Sequence, residues 1–511
     1  MRNEGRRVWL GRLILSGIIL AYVALAVGYA LGTPPWNNPD EPAHYNYLRH
    51  IATTGQLPIL QMGDYNFAEL EQLKAARFPA SLSIAGVRYE YHQPPLYYLL
   101  GAAIYKVTAS LPLPTQVLIL RLFSVALGVL VLLVAYATAQ EAFSGDRMLA
   151  LSTVAFVAFV PMHTAMTAAI NNDTLAELLL ALLLWLSLRR LRDADPPRRY
   201  VLLAGLLLGL GLLTKVTVYV AAVVLLASEV GRKPVRSPKP DRFTALQTGN
   251  QEIRKSGNQA IPHLLIPSFP DSLITIVSIF SLALLISLWW FVRNAVVYGQ
   301  LDLTGRLRHD AVVVDQPRTV LGLEAVRHFV VVTFQSFWAQ FGWMGILVDQ
   351  RIYLLLAVLT GLAALGLALW IAQRLRRLPA RQKWAWGLLA LTFLLILAGL
   401  LQYNLTFIQA QGRYLFPAIV PIAIFFVLGL RELASRRWLL PATLAVGLAS
   451  VYLVVRGRVL LAGSALLVLL AGVAQWLLAK VYDVVVLAAL ALALLGLDFI
   501  CLTRFVIPYF R

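Results

Sequence analysis

In this chain of 511 residues, 59% are hydrophobic and 14% charged, and the mean hydropathy is +0.73, so most segments are solvated by lipid instead of water. The formal charge of +19 does not mark a nucleic-acid binder, because the Lys and Arg residues collect in short runs between apolar spans, as in cytoplasmic loops. One cysteine, Cys501, excludes a disulfide framework or a cysteine-based zinc site within the chain.

The first apolar segment, Leu13 to Leu31, follows Arg2, Arg6, Arg7 and Arg12. It is longer than a signal-peptide core and has no small-residue cleavage site, so it is expected to be an uncleaved anchor with its N-terminus inside. A long outer loop, 32–116, comes next and opens with NNPDEPAHYNYLRHIATTGQLP at 37–58. There Pro39 and Pro42 restrict the backbone on both sides of two adjacent carboxylates, Asp40 and Glu41. Asp40 is placed to cap an amphipathic helix that Gly55 ends, and His44 follows Asp40 by one turn. The plain alternative to a catalytic pair is an N-cap, Asp40, beside a favourable helix-terminal charge, Glu41. NFAELEQLKAARF predicts a second helix in the same loop.

The apolar run within 91–114 is shorter than the ~20 residues that a spanning helix needs and is interrupted by Lys106, so it is placed at the outer interface. Val117 to Ala139 then runs inward, Leu149 to Ile170 outward and Leu175 to Leu188 inward, which puts the arginines of RRLRDADPPRR inside. Residues 200–230 are expected to be two helices meeting at an outward-facing bend at Thr214-Lys215, because both flanks are basic. Residues 231–271 read as a flexible, basic cytoplasmic loop with no chemistry of its own.

Asp271 to Val292 leads outward to a second large outer loop, 293–351, whose aromatic end, HFVVVTFQSFWAQFGWMGI, suits a belt at headgroup level. Further spans are expected at 352–371, 385–402, 414–430, 438–455, 459–479 and 484–502. The expected fold is an all-α polytopic membrane protein of about thirteen transmembrane helices, with large outer loops carrying amphipathic helices. Its parts are a core module, 1–230, the basic loop, and a C-terminal module, 272–511.

Several polar residues converge on the outer side: Asp40, Glu41, His44, His92, Arg121, Asp173, Lys215 and Arg413. His92 could simply anchor the interface, Asp173 could cap the helix after it, and Arg121 and Arg413 sit at span ends where long side chains snorkel. Lys215 is harder to explain structurally, since a lysine near the membrane interior costs about 2.5–3.5 kcal/mol and tends to be kept for a partner or substrate.

Together, PDEPAHY, HQPPLYYLL, RLFSVALGVLVLLVAYATAQEAF, NNDTLAELLLALLLWL, LLLGLGLLTK and QGRYLFPAIVPIAIFF resemble the integral-membrane glycosyltransferases of the GT-C class. The likeness is to the protein O-mannosyltransferase and aminoarabinose transferase (glycosyltransferase 39-like) branch and to related bacterial membrane proteins. The resemblance implies a GT-C-like fold in a plasma (inner) membrane, with the N-terminus in the cytoplasm. It implies transfer of a sugar from a polyprenyl-phosphate donor, at the outer membrane face, to a hydroxyl on a protein, lipid or glycan acceptor. Asp40, with Glu41 beside it, takes the place of the family's first acid and Asp173 that of the second. Lys215, Arg121 and Arg413 would hold the donor phosphate, and His44, His92 and Asp173 would contact substrate. A single carboxylate base suits inversion. Asn-Asn-Asp at 171–173 departs from an Asp-x-Asp pattern, which counts against metal dependence; no cofactor is required for certain, and a divalent metal is possible. A transporter or flippase of a lipid-linked or anionic envelope precursor is the alternative reading, since transporters also use broken helices and intramembrane cations. A non-catalytic subunit of an envelope assembly is the third.

Overall fold

Among the described residues, seven helices are long and apolar enough to cross a membrane, or eight spans if one sharply bent pair counts as one, which makes the chain an integral membrane protein. The computed structural model describes residues 2–143, 145–192, 198–231, 271–299, 301–435, 455 and 482–511. The spans expected at 438–455 and 459–479 and the basic loop at 231–271 fall almost wholly outside the described residues. Among those that are described, the expected thirteen spans are not all found as full-length apolar helices.

Helix α1 (Arg2–Gly32) is followed by the first large loop, the one expected on the outer side, which carries α2 (Glu41–Thr54), α3 (Phe67–Ala75) and α4 (Leu96–Thr108). Gly55 ends α2 in the left-handed region at φ 72°, and the Asn66 side chain caps α3 by accepting from Glu69 N–H at 3.1 Å. At thirteen residues α4 rises only about 20 Å and cannot span, in line with its sequence. The next span is α5 (Leu113–Ala142).

The single span expected at 149–170 is instead two helices, α6 (Arg147–Phe159) and α7 (Pro161–Thr167), bent by 68°. Pro161 lacks the N–H that would continue the ladder, and it holds Val160 in an extended conformation. Helix α8 (Asp173–Arg190) is buried along most of its length. Then α9 (Arg198–Leu212) and α10 (Val220–Val230) break around Lys215. Tyr200, near the start of α9, donates to Glu229, near the end of α10, at 3.5 Å, so the chain returns to the side it left. The Arg190 guanidinium reaches the same carboxylate at 2.8 Å.

After α11 (Asp271–Tyr298), the second large loop, also expected on the outer side, folds into α12 (Arg306–Val312), α13 (Leu323–Trp338) and a two-residue ribbon, β1 (Gln340–Phe341) against β2 (Ile346–Leu347). Its aromatics do not simply form a lipid belt: Trp338 is buried, with its ring centroid 5.7 Å from Phe156 and 5.8 Å from Phe426. Helices α14 (Gln350–Arg374), α15 (Ala380–Asn404), α16 (Ile419–Leu433) and α17 (Tyr482–Ile500) complete the described bundle. Gly366 and Gly429 let α14 and α16 cross backbone to backbone, since a Cβ on Gly366 would stand 1.9 Å from the Gly429 carbonyl oxygen.

Candidate functional site

The turn Asn38-Pro39-Asp40-Glu41 sends its two acids in different directions. Asp40 is left-handed, at φ 64°, a region that Asp tolerates better than most residues, and its side chain makes no capping bond to α2. The expected N-cap is therefore absent. Instead Oδ1 accepts from Tyr89 Oη at 2.6 Å and Oδ2 accepts from the Arg413 guanidinium, which arrives from the turn before α16. Burial is the largest single influence and works against the charged form, but the Arg413 charge, His44 and the hydrogen bonds from Tyr89 and Arg413 together outweigh it. The Asp40 carboxyl is lowered to about 2.

Glu41 is fully buried and holds Arg121 through bonds of 2.8 and 2.6 Å. It also accepts from the backbone N–H of Trp36 at 3.0 Å and of Ile170 at 3.2 Å. The remaining Arg121 donors go to the carbonyls of Ala30, Thr33 and Pro34, which uses all the N–H groups of a guanidinium. These two residues were expected at the reaction centre and on a donor phosphate. The structure commits them to each other, tying α1, α2, α5 and the segment after α7, and neither lines the cavity described next.

That cavity, about 480 Å³, is lined by Asp40, His44, Glu90, His92, Asp173 and Lys215 and by apolar residues of the turn into α10 and its first residue, Val216 and Val220, and of α15, Leu395, Ile396 and Leu400. Lys215 Nζ donates to Asp173 Oδ1 at 2.6 Å and to Asn172 Oδ1 at 3.1 Å. Asn171, not Asp173, caps α8, accepting from the N–H groups of Asp173 and Thr174 at 3.0 and 3.4 Å, and this leaves the Asp173 carboxylate to the lysine. His44 Nδ1 lies 2.8 Å from Tyr98 Oη, and burial lowers the imidazole's pKa. His92 Nδ1 lies 3.0 Å from the Tyr89 carbonyl, with the ring centroid 4.4 Å from that of His309. Burial, and then the neighbouring His309, hold His92 well below the ordinary imidazole range.

A second cavity, about 350 Å³, lies against the outer loops and is lined by Tyr65, Lys74, Gln316, Trp343, Gln409 and Arg413 among others. Asp40, Glu90, His309, Tyr403 and Tyr414 line both cavities, and so form the partition between them. Sequence reasoning did not single out Glu90, His309 or the two tyrosines. Glu90 stands two residues before His92 in YEYHQPP, and its Oε2 is buried with no hydrogen-bond partner among the described residues. His309 comes from RLRHD in the second outer loop. Among the described residues no group of three or more His, Cys, Asp or Glu is arranged to hold a metal ion.

Residues 92–246 match the family described as dolichyl-phosphate-mannose-protein mannosyltransferase. The resemblance to GT-C class membrane glycosyltransferases therefore holds over the stretch that includes His92, Arg121, Asp173 and Lys215. Among solved structures, the chain is similar to ArnT from Cupriavidus metallidurans bound to undecaprenyl phosphate, at 15% identity and TM-score 0.48, covering 96% of this chain and 77% of that one. It is also similar to the Archaeoglobus fulgidus oligosaccharyltransferase tethered to an acceptor peptide, at 12% identity and TM-score 0.44, covering 96% of this chain and 56% of that one. None of the curated proteins matches this chain by sequence.

Proposed function

We propose that the protein is a glycosyltransferase that moves a sugar from a polyprenyl-phosphate-linked donor to an acceptor hydroxyl at the outer face of the membrane, with inversion. The observation that carries this reading is Asp40: a carboxylate kept ionised on the partition between a cavity walled by membrane helices and a polar cavity among the loops. The family match adds support, since that family is named for a dolichyl-phosphate sugar donor. In the step proposed, the acceptor hydroxyl gives its proton to Asp40 as its oxygen bonds to the anomeric carbon. The bond from that carbon to the phosphate oxygen breaks, and its electron pair leaves with the polyprenyl phosphate. Lys215 and Arg413 supply positive charge to that phosphate. His44, His92 and Asp173 shape the cavity around the sugar.

Lys215→Ala should weaken donor binding by about 10- to 100-fold, the worth of one charge-assisted hydrogen bond, with much less effect on the acceptor. Titration with a synthetic polyprenyl-phosphate sugar reads this, and Lys215→Arg should recover part of the loss. Unchanged donor affinity in Lys215→Ala would leave Lys215 as a partner of Asp173 and nothing more.

The positive-inside pattern supports a plasma (inner) membrane location with a cytoplasmic N-terminus. Cysteines introduced at the exposed positions Thr54, Ser81 and Glu324 should react with an impermeant reagent from outside, and one at Arg198 only from inside. Outside labelling at Arg198 would reverse the arrangement.

The transporter reading draws on the helix breaks at Val160 and Lys215, because discontinuous helices frame substrate sites in transporters. Solute uptake into liposomes by protein that transfers no sugar from any of a panel of donors would favour it.

A further inference from the structure

The loop-side cavity differs in chemistry from the one walled by membrane helices. Its charges are largely matched internally, Lys74 with Glu71 and Arg413 with Asp40. What remains to meet a ligand is mostly neutral. Gln316 is 9% exposed, and its side-chain amide makes no hydrogen bond among the described residues. Gln409 Oε1 accepts from Gln411 at 2.7 Å, which leaves the Gln409 amide N–H groups to the cavity. A primary amide sets a donor beside an acceptor, the pairing that a hydroxyl needs because it is both at once.

The far wall is made by a turn that no simple economy of folding explains. Gly345 N–H closes it on the Gly342 carbonyl at 3.0 Å, and its two central residues, Trp343 and Met344, are left-handed at φ 53° and 66°. Such turns normally take Asn and Gly, which adopt this conformation without strain. Here two large side chains occupy it and line the cavity. The Trp343 indole is fixed by donating to the Trp36 carbonyl at 2.9 Å and by stacking on Phe78 at 5.8 Å. Trp36 and Phe78 are themselves non-glycine residues with positive φ. Backbone strain of this kind persists where the surroundings over-determine it, and it gathers at ligand sites.

We propose that this cavity binds the terminal sugar of an uncharged glycan, and that this glycan is the acceptor; the second half of the statement rests on the transferase reading above. At about 350 Å³ the cavity is the size of a site for one small ligand group, whereas an extended peptide is usually taken along a sheet edge or an open groove. Away from the Asp40–Arg413 pair, where the donor phosphate is proposed to act, the remaining ion pair, Lys74 with Glu71, is matched and selects against an ionic ligand; free amides bond to hydroxyls, and the fixed indole with Tyr65 gives rigid walls. Glu90 borders both cavities with one oxygen unpartnered, and accepts a hydrogen bond from the hydroxyl that reaches the partition.

The test is ligand-observed NMR on the purified full-length protein without donor, using neutral malto-, manno- and chito-oligosaccharides and a serine- and threonine-rich peptide as probes. At least one oligosaccharide series should bind, the peptide should not, and Trp343→Ala or Gln316→Ala should each weaken binding by about tenfold. Thermal unfolding of both variants separates loss of the site from loss of the fold, and Gln316→Ala is the milder change. Binding of the peptide alone, or oligosaccharide binding that neither variant alters, overturns the proposal. Oligosaccharide binding without transfer from any polyprenyl-phosphate donor keeps the site and removes the transferase reading. Transfer to the peptide keeps the transferase and removes the glycan as its acceptor.

Discussion

Asp40→Asn should lower the rate of sugar transfer by roughly 10² to 10⁴, the usual worth of a positioned general base. The substitution suits the test, because Asn tolerates the left-handed backbone that Asp40 adopts at φ 64° and can still accept from Tyr89. What it removes is the charge. Donor binding should be retained or tightened, because the change releases the Arg413 guanidinium from its carboxylate partner, and a variant that transfers sugar at the wild-type rate eliminates Asp40 as base. The pH dependence is a second readout. The Asp40 carboxyl is lowered to about 2 from an ordinary value of about 3.9, so it is ionised at every pH where the protein is assayed. Its contribution to stability is complete above the unfolded value and is lost only as pH falls toward 2. Any acid limb in the rate between pH 4 and 7 should therefore persist in Asp40 variants that retain measurable turnover. A carboxylate with so low a pKa is a feeble base while Arg413 holds it. Arrival of a donor phosphate that competes for the guanidinium would raise its basicity at the moment it is needed.

Arg121→Ala and Glu41→Gln should each destabilise the protein by about 3–5 kcal/mol, the cost of leaving one member of a buried ion pair uncompensated. The pair is almost wholly buried, at 2% and 0% exposure, and its bonds join four separate parts of the chain. Thermal unfolding in detergent measures the loss. Removing both charges together, as Arg121→Met with Glu41→Gln, should cost less than the sum of the single changes. If either single variant keeps wild-type stability and loses transfer, the pair serves the chemistry after all.

The contrast between Asp40 and Glu41 shows where sequence reasoning reaches its end. Both acids lie in one short string, and nothing local distinguishes the one that faces the cavities from the one that clasps an arginine 80 positions away. The partner of Asp40 is 373 residues distant, and such pairings are created by tertiary packing alone. Features carried by local chemistry were legible: Gly55 as a helix end, a helix across NFAELEQLKA, the short reach of 96–108, and the break at Lys215. The bend at Pro161 was equally local, but the surrounding apolar run concealed it. Glu90 and His309 had no pattern around them; only the meeting of two outer loops makes them neighbours of Asp40. The aromatic stretch before Ile352 was expected at headgroup level, yet burial of Phe337 and Trp338 shows that protein, not lipid, covers these two rings.

The three helices α8, α9 and α10 are fastened to one another at both ends: by Arg190, Tyr200 and Glu229 at one, and by Lys215 and Asp173 at the other. The eighteen residues of α8 measure about 27 Å, close to one hydrocarbon thickness. A bundle clamped at its two ends cannot tilt one member at a time to absorb hydrophobic mismatch, so a thicker or thinner bilayer must deform around it or shift the peripheral helices. On the proposed reading of Lys215 as a ligand of the donor phosphate, its height is then set by the length of these helices, and the distance the phosphate must travel to meet it becomes a property of the surrounding membrane.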